Sequence, residues 1–511
     1  IQVALSVQKA NRMLFGEILQ SLDFVTATQI AIVAAKQYGF DYVNLDDTHI
    51  EDDVLSLVPF DMALSKLILP LHIDNNQLIV AVENVNDIET LDYLKTITTH
   101  EIKLVVADQN KIQRLIELRY YQLNNPIEQQ IEEIVNSLLD EEHVDIVNLV
   151  QLILNNAIKD DVTDIHISPD NHVIYIFFRI DGVLHLNYTL PKVAMQQIVS
   201  RIKILSNMDI SEHRLPQDGG FSHEFLGNRF DLRVSSIPTD HGENIVMRVL
   251  SSSTSSFDLS TLGFEEDDAL SLKELFNKPH GIVLVTGPTG SGKTTSLYSL
   301  LRHINFIQKN IITVEDPIEY RFSFVRQTEV NLKAGYTFQT AIRHFMRQDP
   351  DCMLVGEMRD EETAELAVRA AITGHLVLST LHTNDAVGAI PRLLDLGVKD
   401  YLISSSVLAI VAQRLVRKLC NVCKESTTIT RKELLDFGYE EQWLDIPIEE
   451  FEIFKEVGCD NCKNTGYKGR EAIIEILTVS DAVKEMINQR KSPLEIFNQA
   501  QDEGMRSLKE N

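Results

Sequence analysis

The sequence predicts an α/β protein whose C-terminal half is a doubly wound nucleotide-binding domain preceded by two smaller α+β units. Three observations predict it. The stretch IVLVTGPTGSGKTTSLYSLL (282–301) sets an apolar, β-rich run before a glycine-rich loop and a helix-prone run after it. From residue 259 onward, strand-like and helix-like segments alternate, as in an open sheet covered on both faces. Between 144 and 250 a helical run, IVNLVQLILNNAI, is followed by strand-like runs such as VIYIFFRIDGVL, RFDLRVSSIP and NIVMRVL.

Taken in order, residues 1–123 form the first unit. FGEILQSLDFVTATQIAIVAAKQYGF reads as short amphipathic helices, with Leu19, Leu22, Ile30 and Ala34 near helical spacing. LILPLHIDNNQLIVAV alternates around Asn75–Asn76, as a hairpin does. Residues 124–143 open on Asn-Asn-Pro, turn acidic, and read as a linker, helical in part. Residues 144–250 are the second unit. The serine-rich tract at 251–258 reads as a flexible hinge, and 259–511 as the nucleotide-binding domain.

Bulk properties narrow the function. With 75 acidic against 47 basic residues and a net charge of −28, the chain is unsuited to bulk binding of nucleic acid or anionic lipid. No apolar run approaches the ~20 residues needed to span a bilayer, and no signal peptide is visible. The chain starts at Ile1, not Met, so a preceding N-terminal piece is expected. Five cysteines in 511 residues do not suggest a disulfide framework, and the expected compartment is the cytoplasm.

The loop Gly287, Pro288, Thr289, Gly290, Ser291, Gly292, Lys293, Thr294, Thr295 fits G-x-x-x-x-G-K-[ST]. Glycines turn backbone N–H groups toward phosphates, Lys293 adds a cation, and Thr294 offers a hydroxyl to Mg²⁺. Candidate carboxylates follow two apolar strands: Glu315, Asp316 and Glu319 in IITVEDPIEY, and Glu357 in CMLVGEMRD. His375 and His382 bracket a third strand, and spacing alone leaves them open between structural and functional roles. Ser379, Thr380 and Thr383 make a polar strand end suited to sensing a γ-phosphate. Cys420, Cys423, Cys459 and Cys462 form two C-x₂-C pairs, either four buried thiols or a tetrahedral Zn²⁺ site. Their long separation adds less than ~1 kcal/mol of loop closure. Cys352, inside an apolar strand, reads as core.

These motifs, in this order, resemble the secretion and type IV pilus assembly ATPases. The resemblance rests on the phosphate loop, TVEDPIEY (an Asp box), RQDPDCMLVGEMRD (a Walker B stretch), TGHLVLSTLHTNDA (a His box), and AQRLVRKLC with GCDNCKNTGYKGR (a tetracysteine element, 415–470). Upstream, TDIHISP, FRIDGVL, RLPQDG and RVSSIPTDHGENIVMRVL are similar to the family's second N-terminal domain. It implies a RecA-like domain after a PAS-like one and an N-terminal docking or regulatory module. It also implies a ring of six at the inner membrane, cytoplasmic and peripheral, that uses ATP and Mg²⁺ and carries structural Zn²⁺. The implied partners are a membrane platform protein and a membrane partner's cytoplasmic domain, with no nucleic acid. The implied work is assembly of a type IV pilus or a type II secretion pseudopilus.

By the same resemblance, Arg233 and Arg248 reach the phosphates, His382 is a sensor, Glu357 is the Walker B acid and Glu315 activates water. Two departures stand out: Phe177 where an arginine is common, and Ser168 where glutamate is usual. Some members bind cyclic di-GMP through an arginine and a glycine near the start; Arg12 and Gly16 lie there, with spacing that does not match cleanly. The alternatives are a retraction motor, which generally lacks the long first domain and the tetracysteine element, and a DNA-translocating RecA-like ATPase.

Overall fold

The computed structural model describes residues 4–511 except 6, 9–14, 22–23, 86, 140–144, 251–258, 260–261, 305–307, 323–324 and 440–448. The chain divides into two compact units. One is Arg12–Gln20 with Val25–Ser253, and the other is Thr254–Asn511 with Ile1–Asn11 and Ser21–Phe24.

The first unit holds two sheets with separate cores. Strands β1 (Ile68–Asp74), β2 (Gln77–Val82) and β3 (Glu101–Val106) form the smaller one. β1 and β2 are the expected hairpin, turning at Asn75 and Asn76. Both residues hold positive φ (47° and 67°), which asparagine tolerates better than most side chains. The second sheet is wholly antiparallel: β4 (Asp164–Pro169), β5 (Val173–Ile180), β6 (Val183–Pro191), β7 (Gln217–Phe225), β8 (Asn228–Thr239) and β9 (Gly242–Leu250), ordered β6-β5-β4-β9-β8-β7. The helices Ile146–Lys159 and Met195–Leu205 cover it.

Part of the expected linker is helical. Residues 127–139 form a helix, Ile127–Leu139, whose Ile127 and Ile131 are buried in the second core. Spaced four apart, they lie on one helical face, so apolar burial holds this stretch against the sheet. The serine tract expected as a hinge lies outside the described residues.

The second unit is built on β10 (Gly281–Thr286), β11 (Ile311–Glu315), β12 (Arg326–Glu329), β13 (Cys352–Val355), β14 (Leu376–Leu381), β15 (Val407–Leu419) and β18 (Tyr467–Thr478). Their order is β12-β11-β13-β14-β10-β15-β18, parallel except for β18. The separate hairpin β16 (Glu425–Thr430) and β17 (Glu450–Lys455) lies between the two cysteine pairs in sequence. Alternate residues of the central strands enter opposite cores: Ile282 and Leu284 one, Val283 and Val285 the other. A parallel sheet buried on both faces needs such continuous apolar runs. Cys352 is fully buried, as expected, and burial pushes its thiol up to about 12. Among the described residues no helix is long and apolar enough to cross a membrane.

Candidate active site

The loop after β10 leads into the helix Lys293–Leu301. Gly287 and Gly292 hold φ of 152° and 83°, backbone that other residues rarely adopt. This conformation lets successive amides turn inward at a helix N-terminus, where anions bind. Lys293 Nζ donates to the loop's own carbonyls, Gly287 O at 2.9 Å and Pro288 O at 3.0 Å. Burial holds its ammonium below the ordinary lysine value while Glu357 pulls it up.

Two neighbouring strands end beside this loop. Glu357 follows β13 and is nearly buried, its Oε2 2.6 Å from Arg359 Nε and 3.7 Å from His382 Nε2. His382 follows β14; its pKa is lowered by burial and the Lys293 charge, with Glu357 acting the other way. Thr383 closes the junction with β10: its amide donates to Thr286 Oγ1 at 2.9 Å, and the two hydroxyls lie 2.7 Å apart. Lys293, Glu357 and His382 therefore form one electrostatic group, although they come from three separate stretches of chain.

Other expected residues sit differently. Glu315 is 3% exposed, and its carboxylate accepts from Thr313 Oγ1 at 2.6 Å, Gln327 Nε2 at 3.2 Å and the Tyr298 hydroxyl. Burial raises its pKa, against those donors. These donors fix the carboxylate at the end of β11, beside the helix that follows the phosphate loop. Asp316 and Glu319, later in the same stretch, are exposed. Ser379 and Thr380 are spent on structure, each donating at 2.7 Å, to Val355 O and Gly356 O. They fix the end of β13 and hence Glu357. His375 lies at the start of β14, its Nδ1 2.8 Å from Ala370 O, and is structural.

Arg233 and Arg248 lie in the other unit, paired across β8 and β9. Arg248 Nε is 3.0 Å from Asp164 Oδ1, and Arg179 Nε is 3.6 Å from Asp164 Oδ2. Strand register puts Arg179, Asp164, Arg248 and Arg233 in one row, on one sheet face. Arg179 and Asp164 had no assigned role from sequence, although both sit in quoted motifs; only cross-strand register joins them to the other two. Arg12 lies outside the described residues.

The four cysteines converge. Their sulfurs all lie within 4.8 Å of one another, with Sγ–Sγ separations of 3.9 Å (Cys420–Cys459), 3.7 Å (Cys423–Cys462) and 3.8 Å (Cys459–Cys462). Tetrahedral Zn–S bonds of about 2.3 Å require sulfurs about 3.8 Å apart. Backbone amides of Gly458, Cys459 and Gly466 point at the sulfurs of Cys423 and Cys462, 3.2–3.3 Å away. Such donors favour thiolate. The donor set therefore fits zinc. The long gap between the pairs is taken up by β16, β17 and the helix Arg431–Asp436.

Residues 139–511 match the family model described as type II/IV secretion system protein, and residues 38–124 match the MshEN domain. The chain belongs to the type II/IV secretion system protein family. Over 522 residues it is 40% identical to the type IV pilus assembly ATPase PilB of Myxococcus xanthus, covering 98% of this chain and 91% of that one. It is 46% identical over 360 residues to the type II secretion system protein E of Aeromonas hydrophila, covering 70% and 71%. The solved structure of the Yersinia pseudotuberculosis ATPase DotB is similar in fold, with a TM-score of 0.51 and 20% identity over 71% of this chain and 87% of that one. The chain is an ATP-hydrolysing enzyme of this family, with a RecA-like domain after a smaller α+β domain. The MshEN match begins after Arg12 and Gly16, so it does not include them.

Proposed function

We propose that this ATPase drives assembly of a type IV pilus or a type II secretion pseudopilus, working as a ring of six against an inner-membrane platform protein. The observation that carries this reading is the convergence of Lys293, Glu357 and His382 in a chain 40% identical, over 98% of its length, to a pilus assembly ATPase. The amides of Gly287–Thr295 and Lys293 bind the phosphates, and Glu357 and Thr294 would hold Mg²⁺, which when bound would supply neutralising charge. His382, on the loop tied to β10 through Thr383, reads the occupant of that site. Glu315, at the end of β11, is the candidate for activating water, with the exposed Asp316 and Glu319 of the same stretch as further candidates. Arg233 and Arg248 supply phosphate contacts, with Arg179 in the same row of their sheet.

Cys420, Cys423, Cys459 and Cys462 hold one structural Zn²⁺ that folds the end of β15 onto the start of β18. The first sheet serves as the docking or regulatory module toward a membrane partner's cytoplasmic domain, and cyclic di-GMP is a candidate ligand there. The enzyme works in the cytoplasm at the inner face of the membrane. Replacing Lys293 by Ala in the parent cell tests the reading: surface pili or pseudopilus-dependent secretion should stop while the protein still accumulates. Normal filaments and normal secretion in those cells would refute it.

A further inference from the structure

β15 makes a contact with the phosphate loop that the site described above does not use. Thr286, the last residue of β10, pairs with Ala412, and Gln413 follows immediately. A Cβ placed on Gly287 would lie 2.4 Å from Gln413 O and 2.6 Å from Ser291 Oγ. A Cβ placed on Gly292 would lie 2.8 Å from Gln413 Nε2. One residue of the adjacent strand thus lies against the loop at both ends, with backbone at the first glycine and side chain at the last. The absence of side chains at 287 and 292 has a second cause beyond positive φ: Gln413 occupies the space.

Packing alone does not call for a glutamine there. Gln413 is 2% exposed, and the preceding residues of β15, Ile410, Val411 and Ala412, are apolar. Its Oε1 is buried with no hydrogen-bond partner, and so is Ser291 Oγ on the loop itself. Buried polar atoms are nearly always paired, and these two orphans lie against one loop. The same loop has Lys293 turned onto the carbonyls of Gly287 and Pro288.

We infer that Gln413 is a positioning residue for phosphate binding, whose amide pairs with the Ser291 hydroxyl when a nucleotide occupies the loop. The hydroxyl donates to Oε1, both orphans are satisfied, and the loop is held at the spacing the phosphates need. Gln413 touches no nucleotide. Its contribution appears in affinity, because the pair forms on binding and persists through turnover.

The test uses the full chain, with ADP and ATP–Mg²⁺ titrated calorimetrically and steady-state turnover measured alongside. Gln413→Met keeps length and volume but loses the amide. It should raise Kd and KM for ATP about 3–10-fold, the worth of one neutral hydrogen bond, while kcat at saturation stays within about threefold. Ser291→Ala should raise KM by a similar factor, and the double variant by no more than either single change, because both remove one interaction. Zinc content and the unfolding midpoint should not move. Should Gln413→Met prove unstable, Gln413→Glu is the second variant: a carboxylate beside the bound phosphates should weaken ATP binding more than ADP binding. Unchanged Kd in the stable variant, or fully additive effects of Gln413→Met and Ser291→Ala, would overturn the inference. Turnover by the unaltered chain tests the ATPase reading separately.

Discussion

His382 Nε2 stands 3.7 Å from Glu357 Oε2, each at the end of its own strand, and the Lys293 charge acts on both. In this grouping Glu357 is the carboxylate whose charge acts on the phosphate-binding lysine. Glu357→Gln should retain ATP binding and lose at least ~100-fold in turnover, since it removes charge where Mg²⁺ and the transition state need it. Lys293→Ala should lose turnover as well. Near-normal hydrolysis by Glu357→Gln, measured by phosphate release, would remove it from the metal site.

The same grouping sets a pH dependence. His382 is held below its ordinary value of 6.5, first by burial and then by Lys293. Between that lowered value and 6.5 the unfolded chain binds more protons, so protonation of this ring subtracts stability as pH falls through the window. Above 6.5 the ring is neutral in both states and the effect vanishes. With the neutral ring taken as the sensing form in the role proposed for His382, its contribution to the acid limb of kcat should lie below pH 6.5 and be absent in His382→Gln. A pH–rate profile whose limb is centred above 6.5 and unchanged by the substitution would count against it.

Glu315 and Glu319 separate the buried from the exposed acid of one stretch. Glu315→Gln should cut turnover ~100-fold or more, the scale of a lost general base, and Glu319→Gln should keep it within about threefold. The reverse order would move the water-activating role to Glu319. Burial raises the Glu315 pKa, so the folded state holds its proton longer than the unfolded state. Its ionisation therefore subtracts stability as pH rises from 4.5 through the folded value, and thermal unfolding of Glu315→Gln should show a flatter pH dependence in that range.

Purified protein should carry about one zinc per chain. Cys459→Ser should release it and loosen the β15–β18 end of the sheet, because metal binding there is coupled to local folding. Cys352→Ser should leave zinc in place, its sulfur being sealed in a different part of the core. Elemental analysis finding no metal in protein prepared without chelator would overturn the assignment.

Arg233→Ala and Arg248→Ala should each reduce turnover at least ~10-fold with folding intact, as loss of a phosphate-gripping guanidinium does. Asp164 orients Arg248, so Asp164→Asn should give a smaller loss in the same direction. A C-terminal fragment beginning near Leu259 should bind ATP and hardly hydrolyse it. Full activity from that fragment would leave the arginines without a catalytic part.

The sequence by itself determined the phosphate loop, the alternation of strands and helices after it, the Asn75–Asn76 hairpin and the two cysteine pairs. Each is written in local spacing: a glycine pattern, a period of two, a turn pair, a two-residue gap. The tertiary structure decided which neighbouring polar residue faces the site. Strand alternation turns Thr313 and Glu315 to the face of β11 that meets Tyr298, while Ile312 and Val314 face the other core. The row of Arg179, Asp164, Arg248 and Arg233 exists only through register across four antiparallel strands. Gln413 reaches the phosphate loop because β15 pairs with β10, more than a hundred residues earlier in the chain. Register and strand order are set by the packing of whole cores, so no local run of residues reveals them.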